Sequence, residues 1–146
     1  MKTERSSTRQ TEVDVSACVV LLVDDEPNVL HGLTRALRQQ PFATCTARSA
    51  EEAMDVLKAH GVDLVVSDEN MPGICGTRFL SWVAEKFPEV MRIILTGQPS
   101  VPSALHAINE GRVYRYFTKP CDTVELALAI RCGLEERAVL RQAKTT

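Results

Sequence analysis

Five polar side chains stand at the ends of apolar runs, and their types belong together chemically. Asp24 and Asp25 follow ACVVLLV (17–23), and Asp68 follows VDLVVS (62–67). Thr96 closes VMRIILT (90–96), and Lys119 follows VYRYFT (113–118). If these groups meet, three carboxylates crowd one shallow site and raise one another's pKa values unless a cation neutralises them. Hard oxygen ligands with open positions suit Mg²⁺, which keeps several waters and binds through one or two carboxylates plus phosphate oxygens. A fixed ammonium and a hydroxyl supply what a metal alone does not need. They hold phosphoryl oxygens while charge redistributes. Asp68 then reads as a nucleophile that forms an aspartyl phosphate. Pro120 follows the lysine, and a cis bond there would turn Lys119 tightly into the site.

Each residue has a plainer reading when taken alone. Asp24 and Asp25 could cap the helix that starts near Pro27, and Asp68 could be an Asx-turn residue before MPG. Thr96 and Lys119 could be ordinary surface residues. Only joint placement by the fold makes them a site, so the elements that carry them decide the matter.

The chain alternates strand and helix with regularity. The run 17–23 is continuously apolar and rich in β-branched residues, the pattern of a strand covered on both faces. Pro27 suits a first helical turn, with Leu30, Leu33 and Leu37 at helical spacing. FATCTA (42–47) reads as a second strand. Ser49 with Glu52 forms a capping-box pattern for a helix through Leu57, with Gly61 past its end. The third strand, 62–67, stops at Asp68. A turn, MPGICG, leads into a helix carrying Phe79, Leu80, Val83 and Phe87, which Pro88 closes. Strand four is 90–96, and a helix at 100–109 has Pro102 in its first turn. Strand five is 113–118, and Asp122 with Glu125 opens a last helix whose apolar positions reach Leu140.

Five strands alternating with five helices predict an α/β fold with a doubly wound, flavodoxin-like parallel sheet of order 2-1-3-4-5. Ligands of such sheets sit outside the carboxyl ends of the strands, which is where all five side chains would lie. The predicted organisation is a flexible leader at 1–15, one domain at 16–135, and a helical extension or linker at 136–146.

Composition narrows the class. The 146 residues are 45% hydrophobic and 25% charged, with a formal net charge of -2. That is globular and gives no basic field for nucleic acid. No stretch approaches the ~20 apolar residues of a membrane span. The leader lacks the apolar middle of a secretory signal. The five cysteines, Cys18, Cys45, Cys75, Cys121 and Cys132, form no C-x-x-C pair and suit free thiols in a reducing cytoplasm. His31, His60 and His106 read as solvated, and Phe79 and Trp82 as packing residues.

Together, VDD, VVSDENMPG, ILTG and YFTKP resemble the receiver domain of two-component response regulators over about 120 residues in order, spacing and strand placement. The resemblance implies that Asp68 accepts phosphate from a phosphohistidine on a sensor histidine kinase or phosphotransfer protein. It implies that Asp24, Asp25, Asp68 and the backbone carbonyl of Asn70 arrange Mg²⁺, directly or through water. Thr96 and Lys119 would bind the phosphoryl group, with Thr96 and Tyr116 as the switch pair. Asn70 and Gln98 would border the path of the attacking water and tune dephosphorylation. A homodimer through the helix 4–strand 5–helix 5 face is a further expectation. So is the absence of any enzymatic activity beyond the domain's own phosphorylation and dephosphorylation. INEGRVYRYFTKPCD resembles receivers attached to HD-GYP phosphodiesterases and some kinases. The stretch from Gly111 to Lys119 is one residue longer than the common receiver pattern, which predicts a bulge before strand five. Two other classes remain open. A haloacid-dehalogenase-type enzyme needs an aspartate where this chain has Asn70, and a docking-only module would carry the same fold without phosphorylation.

Overall fold

The computed structural model describes residues 14–145. The chain order is β1 (Val19–Val23), α1 (Pro27–Ala36), β2 (Ala43–Ala47), α2 (Ala50–Ala59) and β3 (Leu64–Asp68). It continues as α3 (Gly76–Lys86), β4 (Met91–Thr96), α4 (Val101–Glu110), β5 (Arg115–Thr118) and α5 (Thr123–Thr145). The five strands form one parallel sheet in the order β2-β1-β3-β4-β5, as the alternation of elements predicted.

Strands covered on both faces need apolar residues without alternation, and β1 and β3 have them. Leu21 and Val23 face a layer built from Ala50, Ala53 and Leu57 of α2, Phe79, Leu80 and Val83 of α3, and Ala107 of α4. Val20 and Leu22 face the other layer, with Leu30 of α1 and Leu126, Ile130 and Leu134 of α5. Each of these larger side chains contributes on the order of 1.5–3 kcal/mol by leaving water.

The ends of the elements differ from the pattern of the sequence in instructive ways. β1, β3 and β5 each begin later than the apolar runs suggest, at Val19, Leu64 and Arg115. Val62 is buried, but it packs in the connection before β3 rather than pairing in the sheet. Periodicity sees burial, while pairing also needs a neighbour in register. Ser49 Oγ accepts a hydrogen bond from the Glu52 N–H at 3.1 Å, whereas the Glu52 carboxylate reaches back to the Arg48 N–H at 3.2 Å. The capping box therefore closes one residue earlier than its motif implies. In the turn before β5, Arg112 takes a left-handed conformation with φ 50°. Arg92 steadies that turn by donating to the Arg112 carbonyl at 3.1 Å.

The termini also depart from expectation. Val15, placed in the leader by composition, is buried in the layer of α1 and α5, and its carbonyl accepts from the Cys18 N–H. Residues 1–13 of the expected leader lie outside the described residues. At the other end α5 runs unbroken past residue 135, and Arg137 meets Asp63 at 2.7 Å and the Glu89 carbonyl at 2.7 Å. The first part of the expected extension is thus held on the domain.

Candidate functional site

Register brings the site together. Val23 pairs with Ser67, which sets Asp24 level with Asp68. Asp68 pairs with Leu95, and Thr96 with Thr118, so Thr96 and Lys119 lie one residue beyond those pairs on the next two strands. The Lys119 N–H donates to the Thr96 carbonyl at 2.7 Å, which fixes where β5 leaves the sheet.

Asp24, Asp25 and Asp68 offer carboxylate oxygens that all lie within 4.8 Å of one another. Asp24 and Asp68 are buried at 2% and 5% exposure, so their charges cannot rely on water. Among the described residues one cation of the chain's own reaches them. Lys119 Nζ lies 2.8 Å from Asp24 Oδ2 and 3.1 Å from Asp68 Oδ1. Burial raises the Asp68 pKa, with the charge of Asp24 adding to it, against the Lys119 hydrogen bond. Burial alone would lower the Lys119 pKa, but its contacts with Asp24 and Asp68 outweigh burial and leave it raised. Ion pairing therefore wins at the lysine, and desolvation wins at Asp68. One ammonium does not balance three carboxylates, and a hard oxygen donor set of this size fits a divalent cation such as Mg²⁺.

The loops around these groups are closed by specific contacts. Asp24 Oδ1 accepts from the Glu26 N–H at 2.9 Å, so the carboxylate turns the chain into α1 without capping it through N2 or N3. After β3, Glu69 Oε1 accepts from the Thr77 N–H at 2.8 Å and from Thr77 Oγ1 at 2.6 Å. That carboxylate does the work of a missing N-cap side chain on α3. Gly76 passes so close to the Asp68 carbonyl that a Cβ there would collide with backbone. Gly73, at φ 80°, makes the turn between them. Neither Glu69 nor Gly76 stands out in the sequence by chemistry; the one hint is the pair of glycines in MPGICG.

Thr96 is buried, and its Oγ1 accepts from Asn70 Nδ2 at 3.2 Å and from the Gln98 N–H at 3.1 Å. Asn70 and Gln98 are both exposed and flank the mouth of the site. Tyr116 lies on the α2–α4 face of β5, paired with Ile94, and its hydroxyl is buried without a hydrogen-bond partner among the described residues. Tyr114 packs on the opposite layer, toward α5, with the Arg115 guanidinium 4.4 Å from its ring centroid. Lys119–Pro120 is cis. The three histidines are exposed, and Trp82 packs against Phe87 rather than forming a platform.

This arrangement defines a class of protein. Residues 20–131 match the family described as the response regulator receiver domain, and the chain belongs to that family. It is a receiver domain of the phosphoacceptor signalling type found in two-component response regulators.

Particular relatives sharpen the comparison. The chain is 37% identical over 119 residues to the transcriptional regulatory protein GlrR of Escherichia coli (strain K12), covering 82% of this chain and 27% of that protein. It is 33% identical over 120 residues to the hydrogenase transcriptional regulatory protein HoxA of Cupriavidus necator, covering 82% of this chain and 25% of that one. The chain thus spans about a quarter of the length of the curated relatives it matches. Among solved structures, the signal receiver domain of an HD domain-containing protein from Pseudomonas fluorescens Pf-5 superposes with a TM-score of 0.81 at 37% identity. That match covers 84% of this chain and 98% of the other, and agrees with the likeness to receivers joined to HD domains. Among the described residues no helix is long and apolar enough to cross a membrane.

Proposed function

We propose that Asp68 accepts a phosphoryl group from a phosphohistidine on a sensor histidine kinase or phosphotransfer protein. The observation that carries this reading is Lys119 Nζ held 3.1 Å from the Asp68 carboxylate beside two further carboxylates. An Asp68 oxygen forms the new O–P bond as the N–P bond of the donor breaks, and the leaving ring nitrogen keeps the electron pair. Lys119 exchanges its contact with Asp68 for one with a phosphoryl oxygen. Thr96 Oγ1 already accepts from Asn70 and Gln98, so its own proton is available to that group. Asp24, Asp25, Asp68 and the Asn70 carbonyl would hold Mg²⁺, which when bound neutralises charge on the transferring phosphoryl oxygens. The side-chain amides of Asn70 and Gln98 can orient an attacking water but cannot take its proton, so the phosphorylated state loses phosphate without a protein base.

Readout runs through Thr96 and Tyr116. A Thr96 hydroxyl drawn to phosphate changes the packing beside β5, and the Tyr116 ring, whose hydroxyl lacks a partner among the described residues, changes position with it. The surface affected is the α4–β5–α5 face, where Val101, Leu105 and Ile108 are exposed on α4 and where a homodimer or partner would read the signal. The protein acts in the cytoplasm as a switch; its only catalysis is on its own aspartate, and this domain does not bind nucleic acid. Residues 1–15, 16–135 and 136–146 act as leader, receiver and extension, with Val15 and Arg137 packed on the receiver. Incubation with acetyl phosphate and Mg²⁺ followed by intact mass tests the assignment. One phosphoryl adduct on the parent and none on Asp68→Asn is the expected result; an adduct on the variant overturns it.

A further inference from the structure

β2 is an edge strand, and its free side opens onto a groove of about 570 Å³ shared with α1. In the ladder to β1, the Ala43 N–H donates to the Cys18 carbonyl and the Ala47 carbonyl accepts from the Asp24 N–H. Backbone groups in a parallel strand alternate in direction, so Thr44 and Thr46 turn their N–H and C=O groups outward into this groove. The strand reads Ala-Thr-Cys-Thr-Ala, without the lysine, proline or inward charge that usually blunts an edge.

The charges of the groove are one-sided. Arg35 and Arg38, at and just beyond the end of α1, and Arg48 after β2 are exposed along its walls with His31. None of the three guanidiniums has a carboxylate within ion-pair distance among the described residues. Among the described residues the one acid of the lining, Glu52, is engaged by the Arg48 N–H. A cationic rim on a protein of net charge -2 is a local feature, not the field of the whole molecule.

We infer that this groove is a docking site for an extended, acidic segment of a partner protein, which adds to β2 as a sixth strand. Main-chain hydrogen bonds to Thr44 and Thr46 supply the pairing, and carboxylates spaced two residues apart meet Arg35, Arg38 and Arg48. Charge argues against the alternatives. A second copy of this chain in a two-fold contact would set the same arginines against each other. A single-stranded nucleic acid would need broad stacking surfaces, and among the described residues the groove is lined by no phenylalanine, tyrosine or tryptophan. The site lies on the opposite edge of the sheet from β5, so a partner bound here leaves the α4–β5–α5 face free.

A displayed library of random ten-residue peptides, selected on the intact 146-residue chain, tests this. The selected sequences should carry aspartate or glutamate at alternating positions. A synthetic peptide from that pool should lose at least tenfold in affinity with the Arg35→Glu, Arg48→Glu double variant, whose substitutions lie on exposed positions. The same peptide N-methylated at alternate residues should lose at least tenfold on the parent, because its charge survives while its strand pairing does not. Binding should slow hydrogen exchange at the Thr44 and Thr46 amides. Selection without acidic enrichment, binding indifferent to charge reversal, or binding indifferent to N-methylation overturns the inference. Displacement of the peptide by a single-stranded oligonucleotide or by tripolyphosphate at equal concentration also overturns it, since that marks a general anion surface.

Discussion

Lys119→Met removes the ammonium that bridges Asp24 and Asp68 and keeps an apolar stem of similar length, so the charge alone is lost. In the parent that ammonium lies 2.8 Å and 3.1 Å from two carboxylates exposed by only 2% and 5%. Breaking a buried pair by removing one partner costs roughly 3–5 kcal/mol, because a desolvated charge is left uncompensated. Lys119 itself is 23% exposed, which lets water reach the gap and places the expected loss near the lower end, about 3 kcal/mol. For a domain of this size that is a fall in Tm on the order of 10 °C.

The loss should depend on pH with a definite sign. The Asp68 pKa is raised in the folded state by burial, so the folded chain holds that proton more tightly than the unfolded chain does. Stability from this group therefore falls as pH rises above the unfolded carboxylate value, and without Lys119 it falls further. Urea melts of parent and variant in metal-free buffer at pH 7.5 should show the full difference, and melts near pH 4.5 a smaller one. In an Asp24→Asn, Asp68→Asn background the same substitution should cost under about 1 kcal/mol, as for a lone exposed cation. A loss below about 1 kcal/mol at pH 7.5, or one of equal size at both pH values, would refute the claim that Lys119 holds these carboxylates in place.

Asp68→Asn should be more stable than the parent at neutral pH in metal-free buffer, with the difference closing as pH falls through the carboxylate range; the same melts decide it. Thr96→Ala should still accept phosphate at Asp68 by intact mass. Its response to beryllofluoride in sedimentation or partner titration should be weaker than the parent's. Gly76→Ala puts a methyl group against the Asp68 carbonyl and should cost at least about 2 kcal/mol, with slower phosphorylation from the displaced loop. Arg137→Ala leaves Asp63 and the Glu89 carbonyl without their guanidinium. It should cost about 1–2 kcal/mol and speed hydrogen exchange beyond residue 135.

The chemistry of the site was legible in the sequence because it sits where apolar strands stop. Asp24, Asp68, Thr96 and Lys119 needed only strand order and register to converge, and a parallel doubly wound sheet leaves little freedom in either. What was not legible depends on loops and on the third dimension. Val62 is as apolar as a strand residue and as buried, yet it belongs to a connection. Arg112 carries no mark of a left-handed conformation, which glycine or asparagine would have signalled. Glu69 acts on Thr77 across eight residues, a distance set by how the loop folds over Gly76 rather than by any periodicity. Tyr114 and Tyr116 look interchangeable in VYRYFT, but they face opposite layers because the first lies before β5 and the second within it.

α5 joins the two ends of the domain in one element. Its start follows Lys119 by four residues, with Asp122 Oδ1 accepting from the Val124 N–H at 2.8 Å. Its far half is fastened by Arg137 to Asp63, whose other oxygen accepts from the Val19 N–H at 2.8 Å where β1 begins. Twenty-three helical residues span roughly 34 Å, so one rigid rod links the loop beside the site to the residues where β1 and β3 begin. Gly133 lets that rod lie close, since a Cβ there would stand 3.0 Å from Leu64 Cδ1 and 3.3 Å from the Tyr114 ring. Under the proposed phosphorylation, a shift of Lys119 toward phosphate would act on a helix held at Arg137. A pivot about the Arg137 contact would then move the α4–β5–α5 face while leaving the β2 edge in place.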